Sequence, residues 1–287
     1  MLTPKRRRFR LRRRRLNLKR TLFLLPNLIT LSSVFCGFYS MVIATQARSA
    51  DDYARAALLV VFAMFFDMLD GRVARMTKTE SAFGLQIDSL ADVLSFGAAP
   101  ALLIHQWTLH QLGTLGVVVC FAYVACGAVR LARFNVLSTA PSGAPTKQGK
   151  YFVGLPIPAA AGILVSIVVA NGAAQGALDG RRYADVLLVV MAGLAFFMVS
   201  SIRFRSFKDL QLNTRTVGLA AFAIGTSAAI ATQLEAAFVL VWLLGFYVLM
   251  GIFEWLWHIP RRLRTRTPPV AAPRPSGKPR TSQPPEE

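Results

Sequence analysis

The sequence predicts an all-α polytopic membrane protein of about eight transmembrane helices. Three observations carry that expectation. Its hydrophobic share is 54% and its mean hydropathy +0.46, more apolar content than a soluble chain of 287 residues needs to fill a core. Its apolar runs approach or exceed the roughly 20 residues that carry a helix across a hydrocarbon layer of about 30 Å. Its basic residues crowd the chain ends and alternate loops.

In chain order, residues 1–20, "MLTPKRRRFRLRRRRLNLKR", form a basic segment. No short apolar core with a small-residue cleavage site follows, so it is not a cleavable signal peptide. It reads as a topology signal that attracts anionic lipid headgroups, with RNA binding the weaker alternative. The expected spans run over about 23–46, 53–74, 84–106, 112–132, 156–172, 184–201, 216–232 and 236–258. Together, residues 21–258 make one membrane domain without a repeat of fixed period. Residues 259–287 are basic and proline-rich with no periodic apolar face, the composition of a disordered cytoplasmic tail.

The formal net charge of +19 would ordinarily point to nucleic acid, but its distribution points to a bilayer and no nucleic-acid partner is expected. The loops "RVARMTKTE", "RLARFN" through "TKQGK", and "RFRSFKDLQLNTR" are basic, whereas "QARSADDYA", "HQWTLHQ" and "ATQLEAA" are not. With eight spans, the positive-inside rule places both termini and the basic loops in the cytoplasm, as for a protein of the cytoplasmic (inner) membrane. Arg181 and Arg182 run against the pattern, flanked by Asp179 and Asp185. Cys36, Cys120 and Cys126 fall within spans at no metal-ligand spacing and read as small buried hydrophobes. A homodimer is an allowed assembly.

The first span opens with "PNLITLSSVFCGF". Pro26 reads as a helix start, Asn27 and Thr30 as either caps or the polar wall of a pocket, and Gly37 as a point of close packing. In the second span Asp67, Asp70, Gly71 and Ala74 stand at i, i+3, i+4 and i+7, one helical face. In the third, Gly84, Asp88, Ala91, Asp92 and Ser95 share a face by the same arithmetic, and a turn around "TKTE" would bring the two acidic faces together.

A central intramembrane aspartate costs about 2.5–3.5 kcal/mol, so four of them need compensation. Four adjacent carboxylates would also repel one another. Divalent cations answer both difficulties. Hard oxygen donors at these spacings suit Mg²⁺ or Mn²⁺, and four carboxylates can hold two metals when some of them bridge. Capping and surface solvation would not explain why all four choose small-residue faces.

The spacing D-x2-D-G-x2-A-R-x8-G-x3-D-x3-D is filled by Asp67, Asp70, Gly71, Ala74, Arg75, Gly84, Asp88 and Asp92. It resembles the full signature of the CDP-alcohol phosphatidyltransferase family, with no departure at any motif position. The resemblance implies a CDP-linked lipid, CDP-diacylglycerol, bound through two metal ions while its phosphatidyl group passes to an alcohol. On this chain it makes Asp67, Asp70 and Asp88 metal ligands and Asp92 a ligand of the second metal and the general base. Gly71, Ala74, Arg75 and Gly84 would line the CDP site, in a cytoplasm-facing active site between the second and third helices.

Two further stretches bear on the acceptor. "VRLARFNV" ends the fourth span with Arg130 and Arg133 at i and i+3, either positive-inside anchors or a fork for a carboxylate or phosphate. "KYFVGLPIPAAAG" opens the fifth, where Lys150 precedes Gly154, Pro156 and Pro158 and the prolines fix a non-helical approach. Together they resemble the serine-using branch of the family more than those taking glycerol 3-phosphate or inositol phosphate. L-serine is therefore the expected acceptor, its carboxylate meeting arginine. A divalent-cation transporter is the alternative from another class, but it would spread its acids over several helices at mid-membrane.

Overall fold

The computed structural model describes residues 18–79, 81–138, 151–175, 180–200 and 202–205, with a few isolated positions between 226 and 246. Helix α1 is Leu18–Gln46 and α2 is Ala50–Thr77. Helix α3, Ala82–Asp92, runs through a π-helical segment, Val93–Ala98, into α4, Ala99–Trp107. A short turn of 3₁₀ helix leads into α5, Thr114–Ser138; α6 is Ile157–Ala173 and α7 is Gly180–Val199. Two short strands, β1 (Tyr151–Val153) and β2 (Arg203–Arg205), pair antiparallel with Phe152 opposite Phe204.

These helices coincide with the first six expected spans. Among the described residues, three segments are long and apolar enough to cross a membrane: Leu25–Gln46, Ala82–Trp107 and Thr114–Leu137. Helix α2 has the length, 28 residues, but carries too many charges to qualify on composition. Ile157–Ala173 and Tyr183–Val199 are apolar but shorter. Apart from those isolated positions, the expected seventh and eighth spans lie outside the described residues, as do the proline-rich tail, Lys150 and all but the last residues of the basic N-terminal segment.

The ends of α2 are built by local hydrogen bonding. Ser49 caps its start: the Ser49 side chain accepts from the Asp52 N–H, and the Asp52 carboxylate accepts from the Ser49 N–H, a reciprocal capping box. At its end Lys78 takes a left-handed conformation (φ 54°), with the Thr79 N–H on Ala74 O at 3.0 Å and the Lys78 N–H on Arg75 O at 3.3 Å. That pair of bonds is a Schellman motif with lysine where glycine is usual. Ser81 then caps α3 by accepting the Gly84 N–H at 2.9 Å. Lys78 and Thr79 end α2 and Ser81 opens α3, so the chain turns where "TKTE" predicts it.

Helix α1 is the organising element. It packs along α2, where Ala56, Ala57, Val60 and Ala63 form a buried stripe and the Ser40 hydroxyl donates to Ala56 O at 2.7 Å. It also packs on α3 and the π segment, while α2 and α3 make almost no direct backbone approach. The result is a cleft between α2 and α3 with α1 as its floor. At Gly37 a Cβ would sit 2.8 Å from Ser95 Cα, so only glycine lets α1 come this close. Behind the cleft, α5 and α6 cover the π segment, and α7 packs on α5.

Two expectations need correction. Helix α1 does not start at Pro26 but at Leu18, with Pro26 inside it. Proline removes a single N–H from the ladder, and a helix continues through it when the carbonyl one turn earlier finds another partner. The third span is not uniformly α-helical, so the arithmetic that put Ser95 on the aspartate face stops at Asp92. Ser95 instead donates to Ser33 O of α1 at 3.1 Å. The proline-fixed approach to α6 is present: Pro156 is extended (φ −59°, ψ 137°) and Pro158 lies in the first turn. Gly154 turns the ribbon into it at φ 82°, a left-handed value, donating its N–H to Ile202 O at 2.8 Å.

Candidate active site

The four aspartates meet in the cleft. Asp67 and Asp70 come from the C-terminal half of α2, Asp88 and Asp92 from α3. One carboxylate oxygen each of Asp67, Asp70 and Asp88 lies within 4.8 Å of the others. Asp92 joins them at the inner end, interacting electrostatically with Asp67 and Asp88 and approaching Asp67 to hydrogen-bonding range. Its Oδ1 is buried with no hydrogen-bond partner among the described residues.

This donor set fits a divalent cation. Three converging carboxylates from two helices offer only acceptors, and a buried carboxylate oxygen without a donor is costly unless a cation or ligand completes it. Hard oxygen donors match Mg²⁺ or Mn²⁺.

The cleft floor contributes directly. The Thr30 hydroxyl of α1 lies 2.7 Å from Asp70 Oδ2 and donates to it; both residues are buried. Of the two readings of Thr30, cap or pocket wall, the structure places it at the acidic cluster. Asn27, one turn earlier, has its Oδ1 3.9 Å from where a Gly84 Cβ would sit, so Asn27 and Gly84 face each other across the outer end of the cleft. Gly71 stands under the Arg75 guanidinium, whose Nη1 is 3.5 Å from the Cβ position. Ala74 follows one turn after Asp70 on the same helix and is half-buried.

The two arginines of α5 separate. Arg130 is 8% exposed, interacts electrostatically with Asp92, and stacks its guanidinium 5.8 Å from the Phe134 ring centroid. Arg133 is exposed.

Two positioning contacts escaped the sequence reading. Asn135 Nδ2 donates to Ser89 Oγ at 2.8 Å, tying the arginine-bearing end of α5 to α3 next to Asp88. Tyr123 Oη donates to Phe96 O at 3.1 Å inside the π segment. A tyrosine in an apolar span was a usable signal, since a buried phenol needs a partner; the asparagine in "RFN" was another.

A family model for CDP-alcohol phosphatidyltransferase matches residues 23–197, and the chain belongs to that family. The match covers α1 through nearly all of α7 and includes every aspartate of the cluster. Among curated relatives, the chain is 37% identical over 235 residues to the CDP-diacylglycerol–serine O-phosphatidyltransferase of Helicobacter pylori, covering 82% of this chain and 92% of that one. It is 32% identical over 185 residues to the Bacillus subtilis protein of the same name, covering 64% and 91%. A third relative of that name, from Methanocaldococcus jannaschii, is 36% identical over 151 residues, covering 53% and 64%.

Proposed function

We propose that this protein transfers the phosphatidyl group of CDP-diacylglycerol to L-serine, giving phosphatidylserine and CMP. The observation that carries the reading is the convergence of Asp67, Asp70 and Asp88 on one point of the cleft, from a stretch that fills every position of the family signature. The names of the relatives support serine as acceptor.

In this reading Asp67, Asp70, Asp88 and Asp92 hold Mg²⁺ or Mn²⁺, two per site. Bound there, the metals neutralise the pyrophosphate and stabilise charge on the departing phosphate. Asn27, Thr30, Gly71, Ala74, Arg75 and Gly84 line the CDP end, the small residues leaving room for the nucleotide against the helix backbones. Asp92 takes the proton of the serine hydroxyl as its oxygen attacks the phosphatidyl phosphorus. The bond from that phosphorus to the bridging oxygen breaks, and CMP leaves with the electron pair. Arg130, beside Asp92, receives the serine carboxylate, with Arg133 and Lys150 as further acceptor contacts. Positioning and electrostatics carry the step, so no covalent enzyme intermediate is needed.

The site faces the cytoplasm of the inner membrane in an eight-span arrangement with both termini inside, supported by the basic loops "RVARMTKTE" and "RLARFN" beside the acidic cleft. The arginine-rich N-terminus rests on anionic headgroups.

The test is to give purified protein CDP-diacylglycerol, Mn²⁺ and a panel of labelled acceptors: serine, glycerol 3-phosphate, inositol and inositol phosphate. Serine should enter lipid with release of CMP. Label entering only from another acceptor would keep phosphatidyl transfer and overturn the serine assignment; no label in lipid from any acceptor would overturn both.

A further inference from the structure

Directly after Asp92 the backbone leaves the α register. Val93–Ala98 is π-helical and closes with the Ala99 N–H on Leu94 O. A π segment carries an extra residue, which rotates everything before it relative to everything after it by about 100°. The orientation of Asp88 and Asp92 on the long Ala82–Trp107 span therefore depends on this register.

Three contacts hold it. Pro100 has no N–H, so the carbonyl one α turn earlier, Phe96 O, loses its helical donor. The Tyr123 hydroxyl from α5 supplies one at 3.1 Å; Tyr123 and Phe96 are both fully buried. On the opposite side Ser95 Oγ donates to Ser33 O at 3.1 Å, and the bare backbone at Gly37 lets α1 close against Ser95. The segment is gripped between α1 and α5, and Asp92 is its immediate N-terminal neighbour.

We propose that Tyr123 is a positioning residue for the reacting aspartates: by donating to the carbonyl that Pro100 leaves without a helical partner, it fixes the π register that turns Asp88 and Asp92 toward Asp67 and Asp70. The inference rests on the metal-binding reading of that cluster. Removing the hydroxyl leaves a buried carbonyl without a donor, and the segment relieves it by shifting register. The aspartate face then rotates away from α2.

A matched control exists on the same span. Tyr53 Oη donates to Gln106 O of α4 at 3.0 Å, the same bond type, roughly 20 Å further along the helix from Asp92. Mn²⁺ binding to the substrate-free full chain in nanodiscs, read by electron paramagnetic resonance, compares wild type with Tyr123→Phe, Pro100→Ala and Tyr53→Phe. Tyr123→Phe should weaken Mn²⁺ binding about tenfold or more, the usual scale for losing an outer-shell support, and lower kcat for transfer to serine. Pro100→Ala, which offers Phe96 O an α-helical N–H, should shift Mn²⁺ binding the same way and serves if Tyr123→Phe fails to insert. Tyr53→Phe should bind Mn²⁺ as wild type does. Wild-type Mn²⁺ affinity in both Tyr123→Phe and Pro100→Ala would overturn the proposal, as would an equal loss in Tyr53→Phe. Wild-type protein that binds Mn²⁺ but transfers to no acceptor defeats the proposed function, while the binding comparison still decides the role of Tyr123.

Discussion

Helix α2 carries aspartates at both ends, and they are held in opposite ways. Asp52, at the N-terminus, accepts hydrogen bonds at Oδ2 from the backbone N–H groups of Arg48 (3.1 Å) and Ser49 (3.2 Å) and from the Ser49 hydroxyl (2.8 Å). Arg55 stands 3.9 Å from its Oδ1. These donors, the Arg48 N–H foremost, hold its carboxyl below the ordinary value of 3.8. Four turns on, Asp67 and Asp70 share a cleft with two more carboxylates, and the Thr30 hydroxyl donates to only one of their oxygens. One end is a capping anion fully served by its neighbours, and the other is an excess of acceptors. Donor supply, rather than residue type, separates the structural aspartate from those proposed to hold metal.

The contrast is sharpest at Asp92. Asp92→Asn should reduce turnover by about two orders of magnitude or more, the scale of losing a general base, while CDP-diacylglycerol still binds. Asp52→Asn should stay within about twofold of wild type, as surface changes usually do. Initial rates with both substrates saturating check the pair, and a normal rate in Asp92→Asn would reduce that residue to a dispensable ligand.

Next in size is the hydroxyl donor to the inner group. Thr30→Val keeps the shape of the cleft floor but removes the hydroxyl from Asp70, and should raise the Mn²⁺ concentration for half-maximal rate by about tenfold. An unchanged Mn²⁺ dependence would make that hydrogen bond irrelevant to the cluster.

This contrast was partly legible in the sequence. Helical spacing put Asp67 with Asp70 and Asp88 with Asp92, and the expense of carboxylates in apolar segments pointed to a metal, because both arguments use only local period and burial. Thr30 was legible as polar, but its bond to Asp70 spans 40 positions and depends on how α1 packs. The π register leaves no mark in hydropathy; Pro100 alone hints at it, and only the fold shows which hydroxyl answers the carbonyl it deprives. Asn135 met Ser89 for the same reason, through the approach of α5 to α3.

The arginines of α5 give a smaller and more specific effect. Arg130→Lys keeps the charge but loses the planar fork, and should raise the KM for serine about tenfold with the KM for CDP-diacylglycerol little changed. Arg133→Lys, at an exposed position, should alter serine dependence less. Steady-state kinetics in both substrates, on variants shown to insert at wild-type levels, decides it; unchanged serine dependence in both variants would move the carboxylate contact to Lys150 or to backbone near Pro156.

Smallest is the cap itself. Ser49→Ala should cost about 1 kcal/mol of stability without changing turnover, measured by denaturation and by rate. The folded carboxyl of Asp52 titrates below its unfolded value, so its contribution is present above pH 3.8 and lost as pH falls through the folded pKa. The cost of Ser49→Ala should therefore shrink in strong acid.

The central claim is that the four cleft aspartates work by holding divalent cations. It is tested most directly by following serine into lipid with purified wild-type protein, first in excess chelator and then with Mn²⁺ restored in excess over it. Transfer should fall to background with the chelator and return with Mn²⁺; full turnover in the chelator would contradict the account.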